Sequence, residues 1–154
     1  MWNNNRKETS RAQNMNSSKL ELYSNIKAIY RREYYIDNLK DIAIRKRITQ
    51  LRISAHKLPI ERGRYTNTPR EQRVCEMCNT RAIGDEFHYL LVCTEISFVA
   101  LRDAFLNDIQ NINTNFTNFD KKSLFYYIMS LNDSSIFSAS VKFIYGIMET
   151  YYSK

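Results

Sequence analysis

All three cysteines of the chain, and one of its two histidines, fall between Cys75 and Cys93 in the run CEMCNTRAIGDEFHYLLVC. The spacing is C-x2-C-x9-H-x4-C, formed by Cys75, Cys78, His88 and Cys93. A C-x2-C turn aims two thiolates at one point, and a histidine and a third cysteine from the next element close the set. Three thiolates and an imidazole make the donor set of one tetrahedral zinc ion. The reading is one structural zinc. The fold is then pinned at this stretch, and the segments before and after it must pack around it.

Those flanking segments read as helices. The chain has only three glycines and two prolines, too few turn formers for an all-β fold. Leu22, Ile26 and Ile29 repeat at helical spacing from about residue 20 to Tyr30, after a capping-box pattern at Ser18-Lys-Leu-Glu21. Residues 36–55 read as one long helix with an Ile44, Ile48, Leu51 stripe and cationic flanks. Residues 56–70 contain both prolines and Gly63, and read as a loop or extended arm. Beyond the cysteines, Phe98, Leu101, Phe105 and Ile109 mark a helix over about 95–111. Residues 111–118 read as a loop. Leu124, Tyr127, Ile128 and Leu131 mark the next helix, with Asp120 as its N-cap. Phe137, Val141, Ile144 and Met148 mark the last, with Asp133 or Ser134 as its N-cap. The expected fold is mainly α, a helical bundle with a small metal-binding insertion between N-terminal and C-terminal helices.

Within the cysteine stretch, Gly84-Asp85 predicts a turn and an N-cap, with a short helix from about Glu86. A residue five positions on is rotated by about 140° in an α-helix. Cys93 therefore meets His88 only if the helix ends or distorts near Val92, with Thr94 capping the next one. Glu86 reads as a carboxylate favouring a helix N-terminus. His56 lies outside the ligand spacing and reads as a surface or helix-end histidine.

Charge divides the chain. Residues 1–81 hold 18 Lys and Arg against 8 Asp and Glu, a net of +10, while residues 82–154 hold 5 against 8, a net of −3. A cationic half points to a polyanion partner. The candidate phosphate contacts are Arg45, Lys46, Arg47, Arg52, Arg62, Arg64 and Arg70, with Tyr65 placed to stack on a base. Arg62, Arg64, Tyr65 and Arg70 fit two readings equally, a nucleic-acid arm or an exposed connector turning at Gly63. Arg45-Lys46-Arg47 also has the composition of a short nuclear-import signal.

No H-E-x-x-H motif, zinc-deaminase order or glycine-rich phosphate loop occurs, and four ligands leave a zinc no open position for substrate. The expectation is a protein that is not an enzyme. There is no apolar signal region and no apolar run of spanning length, and an odd, clustered cysteine count suits a reducing compartment. The expected location is intracellular, nuclear or cytoplasmic, without a membrane partner.

The segment RISAHKLPIERGRY (52–65), the following R-x-C-x-x-C and the run DEFHYLLVC (85–93) resemble the cysteine-rich C-terminal region of LINE-type, non-LTR retrotransposon reverse transcriptases. The resemblance covers roughly residues 45–102. It implies a zinc-knuckle-like module, ligated by Cys75, Cys78, His88 and Cys93, that helps a polymerase hold RNA template and target DNA. The aromatic-Ala-Asp-Asp polymerase signature and any endonuclease pattern are absent. The chain then reads as a detached or truncated end of such a protein. The division expected is a disordered tail at 1–16 and one helical domain at 17–154. That domain comprises basic helices and arm (17–70), the CCHC segment (71–94) and C-terminal helices (95–154). The alternative is a helical protein-interaction module with buried structural cysteines, docking a parent polymerase domain or another protein on its C-terminal helices.

Overall fold

Three helix starts in this chain are set by local sequence, two by capping aspartates, Asp41 and Asp120, and one by Pro59. The computed structural model describes residues 20–27, 29 and 31–154. The tail at 1–16, Ser18 of the capping box and Tyr30 lie outside the described residues. The architecture is mainly helical, and the described residues contain no strand, only a single antiparallel bridge between Val74 and Ile83. The helices are α1 (Glu21–Ile26), α2 (Tyr34–Asn38), α3 (Ile42–Arg52), α4 (Pro59–Tyr65), α5 (Ile96–Ile112), α6 (Lys121–Ser130) and α7 (Phe137–Tyr152). No described helix is long and apolar enough to cross a membrane.

The C-terminal helices carry much of the core. Phe98, Phe105 and Ile109 of α5 are buried, and Phe105 stacks on Phe143 of α7 with ring centroids 4.5 Å apart. Asp120 caps α6, its carboxylate accepting from the N–H groups of Lys122 and Ser123, which satisfies donors that a helix start otherwise leaves open. From the N-terminal half, α1 packs on α6 and α3 packs on α7. The π-helical turn His88–Val92 touches α5, α6 and α7. The cysteine segment thus sits at the meeting point of both halves.

Several boundaries differ from the sequence reading. The expected helix over 36–55 is two helices. Asp41 Oδ1 accepts from Ile44 N–H at 3.0 Å, so Asp41 starts α3 as its N-cap rather than continuing a helix. The expected arm at 56–70 contains α4, because Pro59 occupies the first helical turn, where its missing N–H costs nothing. Helix α1 ends at Ile26, before Ile29. The N-cap position of α5 is Glu95, without a side-chain cap, and Thr94 does not cap it. Asp133 does not start α7; it accepts from Ser135 N–H at 2.8 Å in the turn before it. The expected loop at 111–118 is mostly a 3-10 turn, Thr114–Asn118, opened by Asn113 and burying Phe116.

Candidate metal centre and the cations around it

Three of the four candidate ligands, Cys75, His88 and Cys93, are placed by hydrogen bonds from their own backbone N–H groups. The Cys75 N–H donates to Ala82 O at 2.8 Å and the Gly84 N–H to Arg73 O at 2.8 Å, closing a turn around Cys75 and Cys78. Gly84 is required there: a Cβ on it would lie 2.9 Å from Pro59 Cγ and 3.2 Å from Cys75 Cα. Helix α4 is thereby pressed against the turn, and its Ile60 N–H donates to Gly84 O at 3.1 Å. Asp85 Oδ1 accepts from the His88 N–H at 2.8 Å. That is the N-cap expected at Gly84-Asp85, and it sets His88 in the first turn.

The offset between His88 and Cys93 is resolved by a change of helix type. His88–Val92 is a π-helical turn that ends at Cys93, whose backbone is extended with φ −54° and ψ 135°. A π-turn bonds residue i to i+5, and here the Cys93 N–H donates to His88 O at 2.7 Å. The distortion expected near Val92 is present.

The four ligand atoms all lie within 4.8 Å of one another. Cys75 Sγ is 3.8 Å from Cys93 Sγ, and Cys78 Sγ is 3.4 Å from His88 Nε2. A tetrahedral ion bonded to thiolates at about 2.3 Å and to imidazole at about 2.0 Å needs S···S edges of about 3.8 Å and S···N edges of about 3.5 Å. These two edges match, so the residues fit one ion. The Met77 N–H points at Cys75 Sγ at 3.4 Å, a donor suited to a thiolate. Cys75, His88 and Cys93 are buried and Cys78 is half-buried. Burial pushes the Cys93 thiol up to about 12. Burial also raises Cys78, but hydrogen bonds at Thr80 and Thr94 outweigh it and bring that thiol down to about 5.

The surrounding residues lock the site. Arg102 of α5 donates from Nε to Leu90 O and from Nη2 to Cys93 O, both at 2.9 Å. It satisfies carbonyls at the end of the π-turn. Tyr89 is fully buried; its hydroxyl accepts from the Glu76 N–H at 3.3 Å, and its ring meets Tyr151 of α7 edge-on at 5.1 Å.

Glu86 starts the short helix as the sequence placed it, but it is paired with His56, which does not lie where the sequence placed it. Both are buried, and His56 Nε2 is 2.7 Å from Glu86 Oε1. The Leu58 N–H donates to His56 Nδ1 at 3.2 Å, so Nδ1 is an acceptor and Nε2 carries the proton to Glu86. Ser54 Oγ donates to the same carboxylate oxygen at 3.1 Å. Burial alone would raise the Glu86 carboxyl, but the His56 hydrogen bond, together with that from Ser54, outweighs it and holds it below its ordinary range. His56 is thus an interior partner of Glu86 rather than a surface histidine.

The sequence-predicted cations do not form one surface. Arg52 is 1 % exposed, pairs with Glu33 at 3.1 Å and lies 4.8 Å from the Tyr35 ring; it is buried away from any phosphate. Arg45 donates to the Ile36 and Leu39 carbonyls and so terminates α2. Arg47 pairs with Glu149 at 3.0 Å and lies 4.2 Å over the Tyr152 ring. Lys46 is exposed, and Tyr65 is 75 % exposed. Arg64 and Arg70 line a hollow with Glu61, Asp85 and Glu86. Arg62 pairs with Glu76 and lines a different cleft with Lys57 and Lys154. Sequence reasoning passed over those two lysines, because neither belongs to a charge run.

Fold and cluster together define a mainly helical protein with a Cys/His cluster able to hold one metal ion. No family model, curated protein or solved structure matches the chain.

Proposed function

We propose that the chain is a non-catalytic nucleic-acid-binding module whose fold is pinned by one structural zinc ion on Cys75, Cys78, His88 and Cys93. The observation that carries this is the convergence of four soft and borderline donors within 4.8 Å. Thiolate and imidazole donors favour zinc over the oxygen-seeking cations. Four protein ligands close the coordination sphere, so the ion supplies folding energy rather than chemistry. Structural zinc contributes about 10–16 kcal/mol in finger peptides, comparable to the whole stability of a domain at about 5–15 kcal/mol.

The net +10 of residues 1–81 supports a polyanion as partner. The resemblance of residues 45–102 to the C-terminal region of LINE-type reverse transcriptases supports RNA or DNA as that polyanion. Binding is led by phosphate contacts and so is weakly dependent on sequence.

The test is zinc content and oligonucleotide affinity of the reduced, purified chain. One zinc per chain is expected, lost in Cys78→Ser and His88→Ala together with a large drop in thermal stability. Affinity should fall with salt, log K dropping against log salt by about 0.7–0.9 per neutralised phosphate. Unchanged stability after metal removal would sink the structural zinc, and absence of binding at low salt would sink the nucleic-acid partner.

A second reading has its own observation. Leu39, Ile44, Phe137, Val141 and Tyr145 line a largely apolar hollow of about 430 Å³. A protein partner seated there would bind with little dependence on salt, which the same titration separates from phosphate-led binding.

A further inference from the structure

Helix α4, the turn between Cys75 and Cys78 and the end of α7 meet at an open cleft of about 520 Å³. Lys57, Arg62 and Lys154 are its exposed cations, while Tyr151, Tyr152 and Met77 are its half-buried wall. Glu76 is the one carboxylate in the lining. The cations differ in how they are held. Arg62 pairs with Glu76 and Lys154 with Glu95, at exposed positions where water screens such pairs. No ion pair holds the Lys57 ammonium among the described residues. Behind the wall, the Arg47 guanidinium lies on the Tyr152 ring and pairs with Glu149.

The cleft is preorganised. The Lys57 N–H donates to Tyr152 Oη at 3.0 Å, and Tyr151 Oη donates to Lys57 O at 3.3 Å. These two bonds fix the Lys57 segment to α7, so little ordering remains for binding to supply. The side formed by the turn between Cys75 and Cys78 depends on the cysteines. Glu76 and Met77 lie between Cys75 and Cys78, and the Glu76 N–H is held by Tyr89 Oη, next to His88.

We infer that this cleft seats a single-stranded polynucleotide, with phosphates on Lys57, Arg62 and Lys154 and bases against the tyrosine wall, and that the metal cluster holds one side of it in place. The inference rests on the nucleic-acid reading above and adds the place and the strandedness. Cations over an aromatic surface match a polymer that carries phosphates and unpaired planar bases. A duplex hides its bases, and an acidic peptide offers charge without rings for the wall. Arg62 contributes a fork suited to phosphate, and the same strand displaces the weak interaction with Glu76.

The test uses the full reduced chain loaded with zinc, and labelled single strands of RNA and DNA, a duplex, a base-free phosphodiester strand and poly-glutamate. Affinity is read by fluorescence anisotropy across a salt series. Lys57→Glu and Arg62→Glu should each weaken single-strand binding by about tenfold, and lower the salt slope by about 0.7 for each phosphate left without its cation. Lys121→Glu, outside the cleft, should leave affinity unchanged. Chelating the zinc should weaken binding at least as much as either cleft variant does. Helical circular dichroism and zinc content of the charge variants guard against a folding defect. If wild type binds strands while both cleft variants bind equally well, the cleft assignment is wrong and the proposed function stands. If wild type binds no strand, the function falls and the cleft with it. Tighter binding of duplex, base-free strand or poly-glutamate overturns the single-strand assignment, and unchanged affinity after chelation overturns the dependence on metal.

Discussion

The Cys93 N–H donates to the His88 carbonyl at 2.7 Å across a π-helical turn. That bond turns an unfavourable five-residue offset into a usable pair of ligands. π-turns are rare and pack less well than α-helix, so this one needs support from outside. Arg102 gives it, capping the Leu90 and Cys93 carbonyls. Arg102→Met should therefore lower zinc affinity by about tenfold, the low end for outer-shell changes, with all four ligands intact. A competitive chelator titration measures it. Affinity equal to wild type would show that the turn holds without the arginine.

Arg52 makes a separate prediction. Its guanidinium is buried, and Glu33 is its ion-pair partner at 3.1 Å, with Lys27 and the Tyr23 hydroxyl on the other carboxylate oxygen. Removing one partner of a buried pair costs about 3–5 kcal/mol. Glu33 keeps an edge in solvent, so Glu33→Ala should cost somewhat less, about 2–3 kcal/mol. Arg52→Ala should cost as much, because its packing on Tyr35 goes too. Denaturant unfolding of both single variants and the double variant gives the coupling, and strictly additive effects would remove the claim.

What was legible in the sequence divides along the same line. The C-terminal helices announce themselves through apolar repeats and the Asp120 cap, because helix period and capping are local properties. The ligand set is legible for the same reason, since four unusual donors share one short stretch. Even the helix distortion at Val92 follows from counting residues between His88 and Cys93. Helix α4 was hidden because Pro59 reads as a breaker unless it is seen to be the first helical residue. The burial of Arg52 depends on Glu33, and that of His56 on Glu86 thirty residues away. Charge counting treats every arginine as solvated, so it cannot separate the inward Arg52 from the outward Lys46, nor find Lys57 and Lys154 as neighbours.

The Glu33 cluster also fixes a pH dependence. Burial alone would raise the Glu33 carboxyl, but the Lys27 hydrogen bond and the Arg52 charge outweigh it and hold it below its ordinary value. A carboxyl lowered on folding contributes stability that is complete above the unfolded value of about 4.3 and is lost as pH falls through the folded value. Asp85 has the opposite sign, since burial raises it. Glu33→Gln should therefore be less stable than wild type at neutral pH and lose less on acidification below about pH 4. Urea midpoints across that range test it, and parallel curves for the two proteins would contradict it.

Gly63 poses a choice between two opposed effects. Alanine in a helix interior is favoured over glycine by about 1 kcal/mol, which would make Gly63→Ala stabilising. Against this, a Cβ at Gly63 would lie 2.6 Å from Arg73 Cγ and 2.7 Å from its Cδ. These are mid-chain atoms of a side chain tied at its end: Arg73 donates from Nε to Thr68 O at 2.8 Å and from Nη1 to Ile60 O at 3.0 Å. Arg73 cannot swing aside without giving up both bonds. Overpacking of this kind costs about 1–3 kcal/mol, so the clash should win and Gly63→Ala should lower the melting temperature. In an Arg73→Ala background the clash is gone, and the same change should become neutral or stabilising. If Gly63→Ala destabilises equally in both backgrounds, Arg73 is not what requires the glycine.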